Sequence, residues 1–147
     1  MLAFLLALAL SHAPLHAASP SPDWSSWPAQ GTVTTPFGSA HPGIDIGILR
    51  SRAIRAAQPG TVIAVGQPRG YEGYGNIVEI ADGRGFTSLY AHLAGWRVRL
   101  GEQIAQGQRL GTAGCTGWCT GTHLHFEMRL RGRPVNPLWF RRARPRP

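Results

Sequence analysis

Lysine is absent from this 147-residue chain: all fifteen basic residues are arginines, set against seven acidic ones, for a formal net charge of +8. With so little acid, the surface favours polyanions, whether nucleic acid, anionic lipid or an acidic cell-wall polymer. The arginines follow no recognisable nucleic-acid-binding motif, which sets nucleic acid aside as a partner. Long apolar runs are missing after the first ten residues, and that first run, Met1 to Leu10, falls short of the roughly 20 residues a bilayer span needs. No transmembrane anchor is expected. Sustained helical periodicity and repeats of fixed period are missing too, which disfavours a Rossmann or P-loop fold. Gly73-Tyr74-Gly75 has the look of a nucleotide loop, but it leads into a strand pattern where a phosphate loop needs a helix start. Cysteines number two, too few to close a structural metal site by themselves.

The length suits one domain with a real core. Residues 1–18 read as an export leader, an apolar run followed by small residues, although no basic residue precedes the run; a buried N-terminal helix is the competing reading. Residues 19–28, with three prolines and four serines, read as an extended lead-in. The domain proper is expected over 29–138, and the arginine- and proline-rich residues 139–147 are expected to be a disordered basic tail. Within the domain, short apolar β-type runs are punctuated by glycine: Gly31 to Thr34, Ile44 to Ile46, Ile54 to Ala56, Thr61 to Val65, Asn76 to Ile80, Phe86 to Ala91, and Thr122 to Glu127. Many short strands with glycine-rich turns predict an all-β, antiparallel fold. Ile77 to Ala91, with its Asp82-Gly83 turn, is the clearest hairpin.

Histidines are few once the leader is set aside: His41, His92, His123 and His125. In an extended Thr122 to Glu127, His123, His125 and Glu127 share one face while Leu124 and Phe126 take the other, giving a wet chemical face and a dry core face. Such a pair can hold a metal, or one ring can hold it while the other handles protons; a pair of plain surface histidines is the alternative. In His41-Pro42-Gly43-Ile44-Asp45 the proline and glycine argue against a helix, so His41 ends a loop and Asp45 sits in a strand between two inward isoleucines. A buried aspartate needs a partner, and a divalent cation is one. Two imidazoles, one carboxylate and an open fourth position are what a catalytic zinc site requires. His92 falls at a strand end, where a merely hydrogen-bonded histidine is the alternative.

His41-x-x-x-Asp45, Tyr90-Ala91-His92-Leu93 and Thr120 to Glu127 resemble, in order, the three motifs of the lysostaphin-type (LytM-like) zinc metallopeptidases. Gly60-Thr61-Val62, Gly75-Asn76, Gly107-Gln108 and Asn136-Pro137 also fit the pattern, so the resemblance runs from about Trp27 to Leu138. It implies an antiparallel β-sheet lining a groove with glycine-rich loops, and a zinc endopeptidase of bacterial peptidoglycan cross-bridges or stem peptides. It further implies His41, Asp45 and His125 as zinc ligands and His92 and His123 as catalytic histidines. Glu127 could orient a ligand imidazole or, equally, be a surface carboxylate countering Arg129.

In an exported protein Cys115 and Cys119 read most simply as a disulfide, worth about 2 kcal/mol for so short a loop, beside a groove wall that Trp118 helps to build. A structural zinc site from Cys115, Cys119, His123 and His125 is the competitor, with spacing unlike zinc-finger patterns. Secretion, or a periplasmic or wall-associated location, and a monomer are expected. The rival functions are a non-catalytic peptidoglycan-binding or hydrolase-activating module and a zinc carboxypeptidase.

Overall fold

A computed structural model describes residues 26–141 of the chain. The expected leader, most of the lead-in and residues 142–147 of the tail lie outside the described residues. The described residues form eleven strands: β1 Gly31–Thr35, β2 Ile44–Ile48, β3 Ala53–Arg55, β4 Gly60–Gly66, β5 Ile77–Ala81, β6 Phe86–Ala91, β7 Leu93–Trp96, β8 Gln103–Ile104, β9 Arg109–Ala113, β10 His123–Leu130 and β11 Arg133–Val135. One 3-10 turn follows at Pro137–Phe140, its first amide capped by the Asn136 side chain.

The main sheet has eight strands in the order β1-β2-β10-β6-β5-β4-β8, with β11 pairing the far end of β10; a smaller sheet runs β3-β9-β7. Each pairing is antiparallel. The expected hairpin is β5-β6, closed where the Asp82 amide donates to the Phe86 carbonyl and the Asp82 carboxylate accepts from the Arg84 and Phe86 amides. Strands β7, β8, β9 and β11 carry no alternating pattern; Leu93-Ala94-Gly95-Trp96 and Arg109-Leu110-Gly111-Thr112-Ala113 each interrupt their apolar residues with glycine, and tertiary pairing alone makes them strands.

The longest strand, β10, lies between β2 and β6 and follows the period-two rule along its length. Leu124, Phe126 and Met128 are fully buried in the core with Ile44, Ile46 and Tyr90. The opposite face carries His123, His125 and Glu127. Register then does the positioning: His125 stands directly across from Asp45 on β2 and from Ala91 on β6, so His92 emerges just beyond the end of β6. Sliding β10 by one residue would turn the histidines into the core and the leucine outward, so burial of the apolar face fixes the site.

Phe126 packs tilted against Tyr90 with ring centroids 5.2 Å apart. Phe126→Ala is expected to cost about 3–5 kcal/mol in urea unfolding, and a cost under about 1 kcal/mol would contradict the core placement.

Candidate active site

His41 closes the turn before β2, its backbone bridged to Gly38 in both directions. No side chain fits at Gly43, where a Cβ would lie 2.4 Å from the Phe126 carbonyl oxygen, so the entry to β2 runs hard against β10. His41 is thereby delivered beside His125, the two rings edge to face at 4.9 Å between centroids. Between them stands Asp45, flanked by fully buried Ile44 and Ile46 as its sequence context predicts. Its Oδ1 lies 2.8 Å from His125 Nδ1, 3.2 Å from His41 Nε2 and 3.7 Å from His123 Nε2. One donor atom each from His41, Asp45 and His125 fall within 4.8 Å of one another, close enough to share one ion.

The outward nitrogens decide what faces Asp45. His41 Nδ1 is 2.9 Å from the Pro36 carbonyl oxygen, which can only accept, so Nδ1 donates there and Nε2 is the nitrogen aimed at Asp45. His125 Nε2 is 3.0 Å from Glu127 Oε1 and donates to it, leaving Nδ1 as the nitrogen aimed at Asp45. Lone pairs facing a carboxylate repel unless a proton or a metal cation lies among them, and the charge states reflect this. Burial pushes the Asp45 carboxyl up, but hydrogen bonds to His125 and Thr35 and the neighbouring His125 and His41 rings together outweigh it and hold the group at about 2. Burial pushes His125 down, but its bonds to Asp45 and Glu127 win and raise it to about 9. The centre is built for positive charge, and the donor set of two imidazoles and one carboxylate suits zinc.

His92 and His123 lie on the other side of the same cavity, of about 650 Å³, which His41, Asp45, His125 and Trp118 also line. Their rings are tilted at 4.8 Å between centroids. His92 Nδ1 donates to the Thr116 carbonyl at 2.8 Å and His123 Nδ1 to the Gly121 carbonyl at 2.7 Å, so each leaves Nε2 as its other nitrogen. Burial holds His92 below its ordinary range, in the neutral form. Its backbone φ of 60° lies in the left-handed region, which a non-glycine residue adopts only when its surroundings hold it there.

Behind the centre the structure departs from the expected wet face. Glu127 is fully buried and His125 only 6% exposed. Glu127 is not a surface carboxylate: it bonds His125 and also takes Arg129 at 2.7 and 2.8 Å, so both roles weighed for it operate at once, inside the protein. Tyr74 donates its hydroxyl to the same carboxylate and stacks edge-on against His125 at 5.5 Å. Tyr71 in turn donates to Glu79, which faces Arg129. These tyrosines gave no sequence signal beyond lying near glycines, because their partners are on strands β5 and β10. Cys115 and Cys119 form a disulfide with Cα atoms 5.3 Å apart, which rules out the four-ligand zinc site built on them.

The model of peptidase family M23 matches residues 39–137. This chain belongs to peptidase family M23. It is 38% identical over 117 residues to the murein hydrolase activator NlpD of Escherichia coli (strain K12), covering 78% of this chain and 30% of that protein. It is 35% identical over 116 residues to the DD-carboxypeptidase/endopeptidase Mpg of Neisseria gonorrhoeae, covering 72% of this chain and 26% of that one. This M23 chain thus spans less than half the length of these curated relatives. Among solved structures it is similar to a zinc containing peptidase from Vibrio cholerae, with TM-score 0.69 and 28% identity over 81% of this chain and 40% of the other. The catalytic domain of lysostaphin from Staphylococcus simulans matches with TM-score 0.63 and 26% identity, over 75% and 89%. The lysostaphin-type resemblance and the antiparallel all-β fold are borne out.

The linked charges give a pH signature. Under a strong chelator only protons compete for the centre. His125 is raised from 6.5 to about 9, so its stabilisation is complete below pH 6.5 and is lost as pH rises through 9. Asp45 is lowered from 3.8 to about 2, so its share is complete above pH 3.8 and is lost as pH falls through 2. The urea midpoint of the chelated protein should therefore fall between pH 6.5 and pH 9.5 and should not fall in His125→Ala. A midpoint that rises over that interval would contradict the pairing.

Proposed function

We propose that this M23 chain is an exported zinc metalloendopeptidase that hydrolyses peptide bonds in the cross-bridges or stem peptides of bacterial peptidoglycan. One observation carries the reading: His41 Nε2 and His125 Nδ1 converge on the Asp45 carboxylate, and His92 and His123 share the cavity. His41 Nε2, Asp45 Oδ1 and His125 Nδ1 would hold the ion. When bound, zinc supplies Lewis acidity toward a scissile carbonyl and toward water. Glu127 fixes His125 in the tautomer that points Nδ1 at the ion, and Arg129 and Tyr74 fix Glu127. His123 and His92 carry the proton traffic: an Nε2 lone pair takes a proton from water, and the protonated ring returns it to the leaving amine or steadies negative charge on the carbonyl oxygen. All five polar groups line one cavity of one chain, so a monomer would suffice.

The peptidoglycan assignment rests on the relatives, one named a murein hydrolase activator and another a carboxypeptidase/endopeptidase. A complete donor set argues for hydrolysis over activation alone. Among the described residues no helix is long and apolar enough to cross a membrane. With a net charge of +8, the arginines would hold the protein near an anionic wall.

The test is metal analysis with digestion of purified peptidoglycan and mass spectrometry of the fragments. His125→Ala is expected to lose zinc and activity together, whereas His123→Ala keeps zinc and loses about 10²–10⁴-fold in rate. Equal zinc occupancy in wild type and His125→Ala would overturn the ligand set. Zinc-loaded wild type that leaves peptidoglycan intact while stimulating a separate wall hydrolase would move the function to the activator class. A second prediction concerns charge: retention on isolated walls should drop with added salt and on deletion of Arg141 to Pro147, and retention indifferent to both would remove the electrostatic role.

A further inference from the structure

The Gly73-Tyr74-Gly75 segment leads into a strand, not a helix, and the disulfide loop has little chain entropy to save, yet the two are clasped together. Trp118 donates its amide to the Gly73 carbonyl at 2.8 Å. The Asn76 amide donates to Thr116 Oγ1 at 3.0 Å, and that hydroxyl donates to the Leu93 carbonyl at 2.8 Å. Asn76 Nδ2 donates to the same Leu93 carbonyl at 3.0 Å, and the Leu93 amide to the Asn76 carbonyl at 3.0 Å. Approach is so close that a Cβ on Gly75, where φ is +66°, would sit 2.4 Å from the Thr116 backbone.

His92 lies at the centre of this clasp, anchored from both sides. Its amide donates to the Tyr74 carbonyl at 2.9 Å, and its Nδ1 donates to the Thr116 carbonyl at 2.8 Å. These two bonds account for the left-handed backbone at His92. His123 is held just beyond the loop: Nδ1 donates to the Gly121 carbonyl, and the loop's Cys119 Sγ lies 3.0 Å from that oxygen and 3.7 Å from Nδ1. Neither His41 nor His125 depends on the loop, since Pro36 and Glu127 take their outward nitrogens.

Building on the hydrolase reading above, we infer that the disulfide-closed loop Cys115 to Cys119 is a positioning device for His92 and His123. Through the Thr116 carbonyl it fixes His92 in the Nδ1–H tautomer with Nε2 toward the cavity, through the Cys119 sulfur it backs the His123 ring, and it leaves His41, Asp45 and His125 untouched. The loop residues act through the histidines and make no step themselves. Opening the disulfide releases the Thr116 carbonyl, so His92 exchanges freely between tautomers and the pair loses its alignment.

The test opens the disulfide in the folded protein with a trialkylphosphine. Phosphorus is oxidised to the phosphine oxide with oxygen from water, and the two protons of that water end on the Cys115 and Cys119 sulfurs. Three readouts follow: zinc stoichiometry, kcat against KM on a peptidoglycan peptide, and imidazole ¹⁵N shifts, which report tautomers independently of activity. On reduction we expect zinc retained, kcat lower by about tenfold or more with KM within about twofold, and His92 changed from a single Nδ1–H form to a mixture. Reoxidation should restore all three. Gly75→Ala, which pushes on Thr116 with the disulfide intact, should reproduce the tautomer change and the kcat loss. His92 remaining in a single Nδ1–H form after reduction overturns the inference whatever the activity, as does an unchanged kcat. Oxidised wild type that cuts nothing counts against the hydrolase reading, and the ¹⁵N shifts still decide this one.

Discussion

A carboxylate set against two imidazole nitrogens is the interaction on which the rest of this molecule depends. Asp45 sits on a strand between two fully buried isoleucines, and an anion there is tolerable only because His125, and beside it His41, bring it a shared positive charge. The fold serves that contact directly. Antiparallel pairing of β2 with β10 places Asp45 across from His125, and burial of Leu124, Phe126 and Met128 locks the register. Core and site are therefore two faces of one strand, so the packing that stabilises the sheet is also what aims His123 and His125.

Behind the visible site is a largely buried relay of alternating charge, with Glu127, Glu79 and His125 buried and Arg129, Tyr74 and Tyr71 half-buried. His125 leans on Glu127, Glu127 on Arg129 and Tyr74, and Arg129 faces Glu79, to which Tyr71 donates. Burial alone would push the Glu127 carboxyl up, yet His125, Tyr74 and Arg129 together hold it below the usual carboxylate range. Each member satisfies its neighbour, and the result is a rigid backing that keeps one nitrogen of His125 pointed at Asp45. The histidines that face the cavity from the opposite side are held differently, by backbone carbonyls of loops. That division separates the groups suited to holding an ion from the groups suited to moving protons.

The histidine face was legible in the sequence because it follows a local rule: in an extended strand, residues 123, 125 and 127 must share a side. Proline and glycine at positions 42 and 43 likewise exclude the helix that would have spaced His41 and Asp45 differently. What could not be read were contacts between distant segments made by groups every residue possesses. The Thr116 and Gly121 carbonyls that orient His92 and His123 leave no trace in side-chain identity. Tyr74 meets Glu127 across 53 positions of chain, and its flanking glycines suggested a nucleotide loop when they in fact permit close approach to Thr116. Burial of Glu127 was hidden for the same reason, since alternation gives its face but not the tyrosine that covers it. Strands β7, β8, β9 and β11 are short or broken by glycine, and only their partners make them strands.

X-ray absorption at the zinc edge of the purified, metal-loaded protein tests the central claim most directly. A first shell of nitrogen and oxygen alone at about 2.0–2.2 Å, with the multiple-scattering pattern of two imidazoles, is what convergence of His41, Asp45 and His125 predicts. A sulfur scatterer at about 2.3 Å, or no imidazole signature, would place the ion elsewhere and contradict the account.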